Sequence, residues 1–174
     1  MPTVTINESS VINGYIDAIV AELRSQGIAN SGIPAALFGY RPLRPDDFSK
    51  FESVSGTAAY SWSVAAGTST IISFTVPTSY ALAFFGLEGA FNISSLLPGG
   101  YFSIIVNGTK KVQVNLADLA NAQSGKIYFF DQYLIVTQQQ HVEWEVNNPT
   151  TVSQTIGLWP ACYIASTRKN LNID

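Results

Sequence analysis

Hydrophobic and polar positions alternate most cleanly in QHVEWEVNN, where His141, Glu143 and Glu145 share one side of an extended chain. Val142, Trp144 and Val146 share the other. That period of two predicts a strand with one face in water and one in a core. Similar runs fill the chain from residue 57 to 167. AYSWSV places Tyr60, Trp62 and Val64 on one face, and TIISFTVP stops at Pro77. ALAFFGLEGAFNI is a longer apolar stretch, with Gly86 and Gly89 as bulge or bend positions. YFSIIVNGTKKVQVNL carries Asn107–Gly108, the strongest short hairpin signal. KIYFF, YLIVT and SQTIGLWPACYIAS complete the set, and LADLANA alone suggests a helical turn. About eight short strands separated by turn residues predict a mainly β fold, an antiparallel β-sandwich of jelly-roll-like kind. The strand–helix–strand alternation of a parallel sheet is absent.

The first 56 residues follow other rules. Val11, Ile12, Tyr15, Ile16, Ile19, Val20 and Leu23 recur at helical spacing and predict one N-terminal amphipathic helix. Thr5 and Glu8 have capping-box spacing, and Gly27 is placed to end the helix. Ile12, Ile16, Ile19 and Leu23 also fit a short heptad seam, so the stripe packs either on its own domain or on another subunit. Residues 28–56 have no period, yet Leu37, Phe38, Tyr40, Phe48 and Phe51 are too apolar for a free linker. They predict an extended arm lying against its own domain or a neighbour. The expected division is therefore a helix and arm over residues 1–56 and a sandwich domain over 57–174.

Composition sharpens this picture. A chain of 174 residues with 47% hydrophobic residues can bury one real core. Charged residues make up only 12%, about half the usual share of roughly 25%. Ser53 to Leu87 carries no charge, nor does Gly89 to Thr109. Charges, Lys above all, normally blunt sheet edges, so uncharged strands either rely on Ser and Thr to keep their outward faces soluble or, the favoured reading, have faces and edges covered by other chains. The net charge of −3 leaves no basic footprint for nucleic acid. The first residues lack a basic-then-apolar signal, and no stretch is long enough for a membrane span, so cytoplasmic synthesis is expected. The single cysteine, Cys162, sits in an apolar run and reads as a buried thiol.

Candidate chemistry is sparse. One histidine cannot complete a cupin-type metal strand, which needs several. No acidic loop offers the six to eight oxygens of a calcium site. Asp46–Asp47, the only adjacent acidic pair, reads as a solvated turn beside arginines. Neither a nucleophile elbow nor a nucleotide-binding glycine motif is present. No cofactor, metal or catalytic residue is expected. His141, Glu143 and Glu145 read as the wet side of a half-buried strand.

TIISFTVPTSYALAFFGLEGAF, YFSIIVNGTKKVQ and YLIVTQQQHVEWEVNNPTTVSQTIGLWPACYIAS together resemble the β-sandwich of structural proteins from tailed bacteriophages. The likeness covers about residues 70–167 and rests on a strand ending in VP, a V-N-G hairpin and an apolar closing strand. TQQQH departs from it, standing where a glycine turn is expected. The resemblance implies a capsid cement or decoration protein, or a fibre or baseplate subunit, that acts by contact as a trimer or other ring. Its partners would be itself and a major capsid or other virion protein, and its place the virion. Val11 to Leu23 and the five apolar arm residues match the docking role. A competing class is a carbohydrate- or receptor-binding sandwich, with Tyr60, Trp62, Tyr80, Tyr101, Tyr133 and Trp159 as the candidate platform.

Overall fold

The structure, a computed structural model, describes residues 8–56, 61–120 and 127–173. Helix α1 (Glu8–Ser31) is followed by β1 (Phe38–Pro42), β2 (Glu52–Gly56), β3 (Ser61–Val64), β4 (Gly67–Thr75) and β5 (Ala81–Phe91). Then come β6 (Tyr101–Val106), β7 (Thr109–Asn115), a short helix α2 (Leu116–Ala120), β8 (Tyr128–Val136), β9 (His141–Asn148) and β10 (Gln154–Thr167). All described pairings are antiparallel. One sheet runs β1-β10-β5-β8, with β3 beside β1 on the same side of β10; the other runs β2-β4-β9-β6-β7. Counting β3 to β10 as strands one to eight, the sheets read one-eight-three-six and two-seven-four-five. That is the strand order of a jelly roll.

Ten strands form, rather than about eight, because the segment expected to be an extended arm supplies β1 and β2. Both lie at sheet edges, where a strand pairs on one side only and needs no alternating pattern. KIYFF and YLIVT, in turn, are one strand, β8. Asn107 and Gly108 both have positive φ in a two-residue turn joining β6 to β7, as the Asn-Gly signal requires. Gly86 sits at a register shift of β5, and a Cβ there would lie 2.4 Å from the Tyr128 carbonyl oxygen. Only a glycine lets β8 approach so closely.

Two cores result. Between the sheets, Trp144 is fully buried and ringed edge-on by Phe48, Trp62, Phe74, Phe84 and Phe102, with centroids 5.7–6.4 Å away. On the outer face of the first sheet, Ile19, Leu23 and Ile33 pack on Ala81, Ala83, Phe85, Ala161 and Ala165. The alanines bring helix and sheet together. Burying Ile19 and Leu23 contributes about 1.5–3 kcal/mol each. Residues 81–87 of β5 are buried on both faces, which is why that strand reads as continuous apolar sequence. Its missing charge is thus accounted for inside the chain, without another subunit.

The helix does not end at Gly27. It continues to Ser31, and Gly32 takes the left-handed conformation, with φ of +65°. Gly27 instead faces Ala81, where a Cβ would meet the Ile33 side chain at 3.0 Å. Thr5, the expected cap, lies outside the described residues.

Candidate functional site

His141, Glu143 and Glu145 do share one face of β9, and that face is the polar outside of the second sheet. His141 Nδ1 is 3.1 Å from Thr75 Oγ1, and its Nε2 is 3.9 Å from Glu143 Oε1. Lys110 donates to Glu145 at 3.2 Å and stands over the Tyr101 ring at 5.0 Å. Among the described residues no group of three His, Cys, Asp or Glu side chains could hold a metal ion. This is a solvated strand face tied by cross-strand pairs, each stabilising by about 0.2–1 kcal/mol. Replacing His141 with Ala is expected to shift unfolding free energy by no more than about 0.5 kcal/mol, read from urea titration.

Asp47 corrects the expectation of a solvated turn. Asp46 is exposed, but Asp47 is fully buried. Its carboxylate accepts two bonds from the Arg41 guanidinium, at 2.7 and 2.6 Å, one from Lys50 at 2.9 Å and one from the Arg44 amide at 2.9 Å. Arg41 Nε also donates to the Leu171 carbonyl at 3.1 Å. Burial alone would raise this carboxyl; the bonds from Arg41, Lys50 and the Arg44 amide outweigh it and hold Asp47 below the ordinary range. The signal was present as three cations within a few residues of one acid pair. The network clamps β1 to the C-terminal turn and seats Phe48 and Phe51 in the core.

The residues expected to meet a partner divide into three groups. Phe48 and Phe51 belong to the core between the sheets, and Ile19 and Leu23 to the core under α1. Tyr15 and Ile16 are half-buried there, and the Tyr15 hydroxyl donates to the Phe130 carbonyl at 3.2 Å. The helix therefore packs in cis. Val20, Phe38 and Tyr40 line a 180 Å³ cleft with Arg24, Arg168 and Ile173, where Arg24 covers the Phe38 ring at 5.3 Å. Val11 (58% exposed), Ile12 (43%), Leu37 (53%) and Tyr40 (43%) stand in solvent. Residues 11–14 are exposed on every side, so this end of the helix overhangs the sheet.

The candidate aromatic platform is dispersed. Trp62 is in the core, Tyr133 packs on Tyr15 under the helix, and Tyr101 lies on the opposite sheet; Tyr60 is outside the described residues. The turn at TQQQH manages without glycine: Gln139 itself takes φ of +63° and donates its amide to the Val76 carbonyl at 2.7 Å. Among the described residues no helix is long and apolar enough to cross a membrane.

The fold and surface define a jelly-roll sandwich with a helix laid across one sheet. No protein-family model matches the chain, and no curated protein does. Among solved structures, dimeric latent PorU from Porphyromonas gingivalis is similar over 75% of this chain and 12% of its own length, with 16% identity and a TM-score of 0.32.

Proposed function

We propose that this chain is a non-enzymatic structural protein of a bacteriophage particle, stabilising or decorating it through contacts with copies of itself and with another virion protein such as a major capsid protein. The observation that carries the reading is the overhanging end of α1, where Val11 and Ile12 lie bare at the start of a helix anchored one turn later. An apolar helix end that has no partner among the described residues is covered most simply by the same end of neighbouring copies, and a trimeric bundle is the favoured arrangement. Leu37 and Tyr40 add a second exposed apolar patch beside β1. The resemblance to phage sandwich proteins and the jelly-roll order, a fold shared by capsid proteins, lectins and cupins, agree with this reading by analogy.

Removing residues 1–56 would strip β1, β2, Phe48 and Phe51 from the sandwich, so substitutions test the idea better. Light scattering behind size exclusion should give a trimer or other ring for the full chain. Replacing Val11, Ile12, Leu37 and Tyr40 together with Ser should yield a folded monomer. A monodisperse monomer for the unaltered chain would sink self-assembly.

A further inference from the structure

Along the open side of the sandwich, β7 and β8 are the last strands of their sheets and bound a 390 Å³ cleft. Sites for small molecules start at about 300 Å³. Its walls carry Lys111 and Gln113 from β7, and Asp131 and Gln132 from β8. Among the described residues, the side chains of Lys111, Tyr128, Asp131 and Gln132 make no hydrogen bond to the protein. Their hydrogen-bonding capacity is therefore unspent at the walls of the cleft. One cation and one anion leave it near neutral. The Gln132 carboxamide offers a donor and an acceptor, the combination that vicinal hydroxyls require, and Gln113, whose Oε1 accepts from Lys110 at 3.4 Å, adds the donor of its own amide. Val114 and Phe130 make an apolar floor, with the half-buried Tyr128 ring at its side.

An added peptide strand fits poorly, because both lips are irregular. β7 shifts register opposite Ile104 and Ile105, and β8 runs Phe130 to Tyr133 past the single β5 residue Phe85. Such bulges spoil an edge as a template. We propose that this cleft binds a neutral saccharide, its hydroxyls held by Gln113, Gln132, Asp131 and Lys111 and its apolar ring face resting against Tyr128. Burial, followed by the charges of Asp118 and Asp131, raises the Tyr128 hydroxyl above its ordinary range, so it stays a neutral donor at physiological pH.

Backbone amide NMR of the full chain, titrated with lactose, maltotriose and chitotriose to about 20 mM each, tests this in the millimolar affinity range. At least one sugar should shift residues 111–114 and 128–132 saturably. The double variant Asp131→Asn, Gln132→Ala should weaken that response by about tenfold or more, with an unchanged melting temperature. No saturable shift with any of the three would overturn the proposal, as would shifts mapping elsewhere. Shifts that follow protein concentration rather than sugar would overturn it too, assigning the cleft to a second copy.

Discussion

Trp144→Ala is expected to destabilise the fold by about 3–5 kcal/mol, the range for emptying a large aromatic site in a closed core. The indole is fully buried between the sheets, and Phe48, Trp62, Phe74, Phe84 and Phe102 each meet it edge-on. Those rings come from five separate elements of both sheets and the β1–β2 connection, so no single movement can close the gap. Far-UV circular dichroism in urea reads the loss, and near-UV ellipticity should fall even where the variant stays folded. A shift below about 1 kcal/mol would mean that the site collapses freely and that the ring cluster is not the centre of the core.

Asp47→Ala should cost a similar amount, about 3–5 kcal/mol, for a different reason. The methyl removes little packing but leaves the largely buried Arg41 guanidinium without its bidentate partner. Asp47→Asn keeps the shape and loses the charge, so it separates geometry from electrostatics. The pH dependence follows from the direction of the shift. The folded carboxyl lies below its ordinary value of 3.8, so its contribution is complete above that pH and is lost as pH falls through the folded value. Acid titrations of unfolding should show the unaltered chain losing stability in that window more steeply than Asp47→Asn. Equal slopes would show that other carboxylates govern acid unfolding.

Both predictions meet at Phe48. Asp47 holds the turn in which Phe48 sits, and Phe48 packs on Phe51 at 5.4 Å and on Trp144 at 5.7 Å. The segment without hydrophobic period is therefore joined to the core more firmly than its composition suggested. Phe48 and Phe51 lie in the interior of the same chain and Phe38 lines the cleft beside α1, whereas Tyr40, at the edge of that cleft, is 43% exposed.

The sequence by itself determined the local elements: the β9 alternation, the Asn107–Gly108 hairpin, the helical stripe from Val11 to Leu23 and the sandwich class. Each is written in a period or a turn residue spanning a few positions, because chain geometry converts spacing directly into facing. Tertiary structure alone decided which faces are covered. β5 and β9 are both sheet strands, yet α1 lies over the sheet of one and water over the sheet of the other. The unbroken apolar run of β5 and the alanines at 81, 83, 161 and 165 carried that signal, but their meaning depends on a helix some sixty residues or more away in sequence. The burial of Asp47 had the same origin, since Arg41 and Lys50 are local but the Leu171 carbonyl that completes the clamp arrives from the far end of the chain. Contacts of that range are selected by the packing of the whole, where burying both faces of one sheet outweighs any preference readable in a short window.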